Sequence, residues 1–214
     1  MGTLRSGVRV KTGKAARPRR LERFCMRVIA GRAKGTRLYC AGGRRVRPVL
    51  DRVKESLFSL LSEKVEGTRV LDLFAGSGSL GIEALSRGAA HADFVESHRA
   101  AVGALRKNLV RTGLSEQARV YTAWLPGALS LVRGPYGLIF VDPPFRIDER
   151  LLEGVFRGIR ARHLLESDGL VIYRHSPRLR FELKDRGWSL EDRRDYGDSV
   201  LSLYRLEEDG GGKV

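Results

Sequence analysis

The 214-residue sequence predicts an α/β fold, with a seven-stranded, mostly parallel sheet that ends in an antiparallel hairpin. Three observations carry this. Short apolar runs at 69–74, 92–96, 118–122, 137–142 and 169–173 alternate with helical stretches near 79–88, 98–113, 124–132 and 149–165. That is the pattern of strands joined by crossover helices in a sheet covered on both faces. The first of these strands runs directly into a glycine turn and a helix. The last two extended runs, 188–194 and 199–206, are joined by Tyr196-Gly197-Asp198, which is too short for a crossover, so they must pair antiparallel.

At the N-terminus, residues 1–25 hold eight Lys/Arg and one acid, with few apolar residues and no strand or helix period. They read as a flexible basic arm, and Met26 offers an alternative start. Residues 26–49 read as a small basic extension: apolar runs from Val28 to Tyr39 flank Gly31-Arg-Ala-Lys-Gly35, followed by Gly42-Gly43 and Arg44-Arg45-Val-Arg47-Pro48. Asp51 is placed to cap a helix with Val53, Leu57, Leu60 and Leu61 on one face. The main domain then spans 50–207, and 208–214 reads as a disordered tail.

Composition bounds the function. A 42% hydrophobic content excludes wholesale disorder, and no run approaches the ~18 apolar residues of a membrane helix. A soluble, cytoplasmic monomer is expected. Cys25 and Cys40 lack metal or framework spacing, so neither a disulfide framework nor a zinc site is expected, and no metal. His91, His98, His163 and His175 lie outside both special loops described below. The formal charge is +15, of which residues 1–25 and 26–60 contribute +7 each. An anionic partner at that end, a nucleic acid by the basic-patch criterion, accounts for such clustering. Arg32, Lys34, Arg37, Arg44, Arg45, Arg47 and Arg52 are the candidates for phosphate contact.

After the first strand of the sheet, Val70-Leu-Asp72-Leu-Phe74-Ala75-Gly76-Ser-Gly78-Ser-Leu-Gly81 matches G-x-G-x-x-G at Gly76, Gly78 and Gly81, and Glu96 ends the next apolar run. This is a Rossmann-like nucleotide geometry: glycines for a tight turn and close ligand approach, and an acid at the next strand tip for ribose hydroxyls. Asp72 discriminates among nucleotides. A carboxylate in the turn repels a pyrophosphate but suits a ligand carrying an ammonium and a sulfonium, which describes S-adenosylmethionine better than NAD.

The fourth strand leads into Asp142-Pro143-Pro144-Phe145. Two prolines stiffen the backbone and remove two N–H donors, so what remains is acceptors: the Asp142 carboxylate and the Pro143 carbonyl. Two acceptors aimed at one point suit the two hydrogens of an exocyclic amine, and Phe145 supplies a face on which an extruded base can stack.

Several blocks in order now resemble a known family. D-x-F-x-G-x-G at Asp72–Gly78 is similar to the first motif of class I methyltransferases. Asp142–Phe145 is similar to the signature of amino-methyltransferases that act on guanine N2. With Met26-Arg-Val-Ile-Ala-Gly, Arg47-Pro48, Asp51–Phe58, Phe74–Leu85 and Tyr196-Gly-Asp198, the chain resembles the 16S ribosomal RNA (guanine(966)-N(2))-methyltransferase family, RsmD, from Met26 to about Leu206. The resemblance implies S-adenosylmethionine as cofactor. It also implies 16S rRNA, within an assembling small subunit, as substrate. It gives Asp72 and the Phe74, Ala75, Gly76 and Gly78 backbone the methionine end, Glu96 the ribose, and Asp142, Pro143 and Phe145 the target base. Two departures stand out. Val49 follows Arg47-Pro48 where the family usually has Thr. Trp124, in Thr122-Ala123-Trp124, stands where a polar residue is expected to meet the adenine, so stacking by Trp124 or backbone bonds from Ala123 must replace that contact. Rival readings are an adenine-N6 or protein-glutamine methyltransferase, a dinucleotide oxidoreductase, and a non-catalytic RNA-binding protein that keeps the fold.

Overall fold

A computed structural model describes residues 23–40, 49–144, 146–179, 181, 183 and 187–207. In chain order its elements are β1 (Arg23–Arg27), β2 (Arg37–Cys40), α1 (Val49–Leu61), β3 (Arg69–Leu73), α2 (Ser79–Ser86), β4 (His91–Glu96), α3 (Arg99–Thr112), β5 (Ala118–Thr122), β6 (Tyr136–Val141), α4 (Glu149–Ala161), β7 (Leu165–His175), β8 (Trp188–Tyr196) and β9 (Ser199–Leu206). The main sheet has seven strands in the order β5-β4-β3-β6-β7-β9-β8. Pairing is parallel from β5 through β7 and antiparallel on both sides of β9. The chain steps outward from β3 to β4 and β5, then returns to the other side of β3 as β6. The switch point therefore lies between β3 and β6, and a crevice at their carboxyl ends is where such sheets bind ligands.

Strand alternation divides the core. Val70, Phe94, Leu138, Phe140, Ile172, Leu201 and Leu203 pack against α1, α2 and α3 through Leu57, Phe58, Ile82, Leu85, Leu105 and Leu109. Leu71, Leu73, Val95, Ile139, Val141, Val171, Tyr173 and Tyr204 pack on the other face against α4 through Leu152, Val155, Phe156 and Ile159. Phe156 is the hub there, edge-on to Tyr173 at 5.4 Å and to Trp188 at 5.6 Å between ring centres. Phe156→Ala is expected to cost ~3–5 kcal/mol of stability, because rings on several elements cannot all collapse into the gap. Urea unfolding followed by fluorescence measures it, and a loss below ~1 kcal/mol would mean that the cluster repacks.

The N-terminal hairpin docks on α2 through polar groups. Glu83, fully buried, accepts from the Ile29 and Ala30 N–H groups at 2.8 and 3.0 Å. It also pairs with Lys54 at 3.1 Å and Arg87 at 2.9 Å. Burial lowers the Lys54 pKa, and Glu83 opposes that shift.

Several expectations need correction. The stretch 124–132 forms only a short 3-10 turn at Gly127–Ser130, because Pro126 and Gly127 interrupt any helix there. The helix expected over 149–165 ends at Ala161, and Leu165 already opens β7. Continuous apolar character through Leu164 and Leu165 fits either state. Helix α1 starts at Val49, which puts Asp51 in its first turn, beside Arg27 Nε at 3.4 Å; an acid there is favoured by the helix dipole instead of by capping. β1 straddles the boundary placed at residue 25. Cys25 is the extra residue of a bulge between Phe24 and Met26, and its Cα lies 5.8 Å from that of Cys40, whose ladder partner is Arg23; the two cysteines are joined as a disulfide. The expectation of no disulfide framework did not foresee this pairing, because which strands lie side by side is invisible in the cysteine spacing. Residues 1–22 and 208–214, read as most of the arm and the tail, lie outside the described residues.

Candidate active site

The glycine loop is built on backbone that side chains resist. Phe74, Gly76 and Gly78 have φ of 61°, 56° and 83°, left-handed values at alternate residues. Phe74 is the costly one, since a bulky residue there is held only by its surroundings. The surroundings do hold it. The Ala75 N–H donates to the Val95 carbonyl at 3.0 Å and the Gly78 N–H to the Ala75 carbonyl at 2.8 Å. The Gly76 N–H donates to Glu96 Oε2 at 2.8 Å. Gly81 is required for contact: a Cβ there would run into the Phe94 ring and Asp72.

Asp72, 1% exposed, accepts from the Gly81 N–H at 2.9 Å. It therefore sits beneath the loop, tying β3 to the first turn of α2. Burial pushes its carboxyl up to about 8; the Gly81 N–H opposes the shift, while Asp142 and Glu96 reinforce it. Glu96, at the tip of β4, holds the Gly76 N–H on one oxygen and the His98 N–H at 2.7 Å on the other. Asn108 on α3, also buried, bonds both the Ser77 carbonyl at 2.9 Å and the Tyr39 backbone, N–H and carbonyl alike. The basic hairpin and the glycine loop thus share one side chain, which sequence reasoning did not single out.

On the far side of β4, the Ala123 N–H is already taken by the Glu96 carbonyl at 3.2 Å. Trp124 beside it is 77% exposed, a free aromatic face at the carboxyl end of β5.

Parallel pairing sets Leu73 against Val141, so the glycine loop and the proline loop leave the sheet side by side, and the Asp142 N–H reaches the Leu73 carbonyl at 3.4 Å. Pro143 is buried and Pro144 exposed. Asp142 Oδ1 accepts from Arg174 Nε at 2.7 Å and Nη2 at 2.6 Å. Arg174 Nη1 also approaches Ser199 Oγ at 3.5 Å. Both guanidinium contacts fall on one oxygen, which leaves Oδ2 outside the ion pair. Burial raises the Asp142 pKa, and the Arg174 charge and hydrogen bonds act against it. Nothing in the sequence around Arg174 signals this role; it depends on β7 lying next to β6.

Of the proposed RNA contacts, Arg32, Lys34, Arg37 and Arg52 are exposed. Arg52 lines a shallow cleft between α1 and β8 with Glu55, Ser56, Ser59 and Arg194. Phe145, Arg44, Arg45 and Arg47 lie outside the described residues.

The family described as "Conserved hypothetical protein 95" matches residues 26–205. The chain belongs to this family. The motif blocks resemble the same one. Ribosomal RNA small subunit methyltransferase D of Escherichia coli is 35% identical over 185 residues, which cover 86% of this chain and 92% of that protein. The protein of the same name from Haemophilus influenzae is 33% identical over 186 residues, 84% of this chain and 93% of its own. Among solved structures, Escherichia coli yhhF matches with a TM-score of 0.73 at 35% identity, over 85% of this chain and 98% of that one. The family's architecture here is the class I methyltransferase fold.

Proposed function

We propose that this chain transfers a methyl group from S-adenosylmethionine to the exocyclic N2 amine of a guanine in 16S rRNA of an assembling small ribosomal subunit, working as a cytoplasmic monomer. The observation that carries this reading is the pairing of β3 with β6, which sets a glycine loop flanked by Asp72 and Glu96 beside a stiff acceptor loop that opens with Asp142. The Asp72 and Glu96 carboxylates fit a ligand with an ammonium and a sulfonium, and Gly76, where a Cβ would meet nothing nearer than the Phe74 carbonyl at 4.0 Å, leaves bare backbone open to it.

Asp72 and the Phe74–Gly78 backbone would hold the methionine end, Glu96 the ribose and Trp124 the adenine face. When bound, the cofactor supplies an electrophilic methyl group. The protein's part is positioning: Asp142 Oδ2 and the Pro143 carbonyl accept the amine hydrogens and fix the nitrogen on an in-line approach, with Phe145 stacking the base. Aligned reacting groups are worth up to ~7–11 kcal/mol in favourable cases; the nitrogen takes the methyl as its bond to sulfur breaks, and the amine proton leaves to water only after transfer, so no strong base is needed. Residues 26–49 and Arg52 contact RNA phosphates in this reading, and 50–207 form the catalytic domain.

A proton-linkage result is expected at Asp72. Its carboxyl, pushed up to about 8, is mostly protonated at neutral pH. A cationic ligand nearby favours the charged form, so cofactor binding should release a proton below pH 8, approaching one per site near pH 7. Calorimetry in buffers of different ionisation enthalpy counts it, and Asp72→Asn should abolish it. Release that persists in the Asn variant would place the proton elsewhere.

The function itself is tested by incubating unmodified small ribosomal subunits with methyl-labelled cofactor and mapping the labelled nucleoside. N2-methylguanosine is the expected product. N6-methyladenosine, or label in protein, would overturn the assignment.

A further inference from the structure

The hairpin register sets Phe24 directly opposite Tyr39, and their rings stack with centres 4.6 Å apart and planes 24° apart. Arg111, in the last turn of α3, holds its guanidinium carbon 5.0 Å from the Phe24 ring centre and 5.9 Å from that of Tyr39. Two such similar distances to stacked rings place the guanidinium beside the pair; over the outer face of Phe24 it would lie much farther from Tyr39. Arg111 Nε donates to the Arg37 carbonyl at 3.1 Å, which fixes it there. The outer face of Phe24 is thus left uncovered by Arg111, and the residue is 43% exposed.

A single exposed apolar side chain is ordinary. This one differs in being the outer member of a rigid stack. Tyr39 beneath it is anchored through both backbone groups to Asn108, and the neighbouring Cys25 is tied to Cys40. Cationic side chains border it: Arg111 flanks the stack and holds the Arg37 carbonyl, and both arginines are exposed. A flat apolar face within a positive field suits a ligand that is flat, aromatic and attached to phosphates. The strand that backs the site touches the glycine loop on its opposite face, where Cys40 Sγ lies 3.9 Å from Ser77 Oγ.

We infer that Phe24, backed by Tyr39 and flanked by Arg111, is a stacking site for one unpaired base of an RNA strand, with Arg37 and Arg111 meeting the adjoining phosphates. The inference rests on the RNA reading above and deepens it. Basic residues give contacts to phosphate alone, whereas an aromatic platform grips a base, and does so with little sequence preference because every base has a π-face. Phe24 lies just before the stretch 26–205 that the family model matches, and its partners Tyr39, Arg37 and Arg111 lie within it.

The test uses full-length protein and a short, labelled single-stranded RNA without self-complementarity, with affinity measured at several salt concentrations. Phe24→Leu keeps apolar packing on Tyr39 but loses the ring. It should bind about fivefold or more weaker, the range that loss of one stacked base implies. Its salt dependence should match wild type, because no phosphate contact is removed. Phe24→Trp should restore affinity. On an abasic strand of the same length, wild type and Phe24→Leu should bind alike. Unchanged affinity in Phe24→Leu overturns the site. So does a loss that comes with a shallower salt slope and is not restored by Trp, which would indicate a distorted hairpin. Methylation of subunits by wild type is scored separately: absent methylation with a ring-dependent affinity would sink the enzymatic reading and keep the stacking site.

Discussion

Asp142→Ala should lose ~10²–10³-fold in methyl transfer, the size expected when one preorganised polar group at a reacting centre is removed, while cofactor affinity stays near the wild-type value. The split follows from position. Asp142 leaves β6 beside the glycine loop but bonds Arg174 on β7, away from Glu96 and the adenine side. Asp142→Asn should retain more activity than Ala, since one acceptor oxygen survives. Arg174→Gln tests the ion pair separately. Without the guanidinium, burial acts unopposed on the Asp142 carboxyl, so its pKa climbs and the acid limb of the rate profile moves to higher pH. Arg174→Lys should restore part of the charge effect but not the two-point grip on Oδ1. A wild-type rate in Asp142→Ala would remove this carboxylate from the mechanism, and an unmoved acid limb in Arg174→Gln would make Arg174 a structural brace only.

The contrast between Asp142 and Arg174 shows what a sequence can carry. Asp142 is legible because two following prolines leave few local conformations. β3, β4 and β6 are legible because strands buried on both faces must be continuously apolar. Arg174 acquires its meaning only from which strand lies next to which, and the same holds for Glu83, whose partners Ile29, Ala30 and Lys54 come from far earlier in the chain. Periodicity also fails where apolar character is ambiguous. Leu164 and Leu165 extended the expected helix into what is the start of β7. Phe24 and Cys25 read as arm because basic neighbours mask a strand whose partner lies beyond a loop.

Glu96→Gln should raise the cofactor dissociation constant at least about tenfold, since each charge-assisted hydrogen bond to a ribose hydroxyl is worth roughly 1.5–3 kcal/mol. The structure adds a second cost. Both carboxylate oxygens already accept backbone N–H groups, from Gly76 and His98. The amide turns one acceptor into a donor facing a donor, so the variant disturbs the loop as well as the ribose contact. A 2′-deoxy analogue of the cofactor separates the two. If Glu96 holds the diol, wild type binds the analogue more weakly than the natural cofactor, and Glu96→Gln shows little further difference between the two ligands. If Glu96 serves only to pin Gly76, wild type binds both ligands alike, and the variant weakens both by the same factor. Calorimetry on the four combinations gives the coupling directly. Zero coupling would remove Glu96 from the ribose contact and leave it as the brace that holds the glycine loop in its left-handed turns.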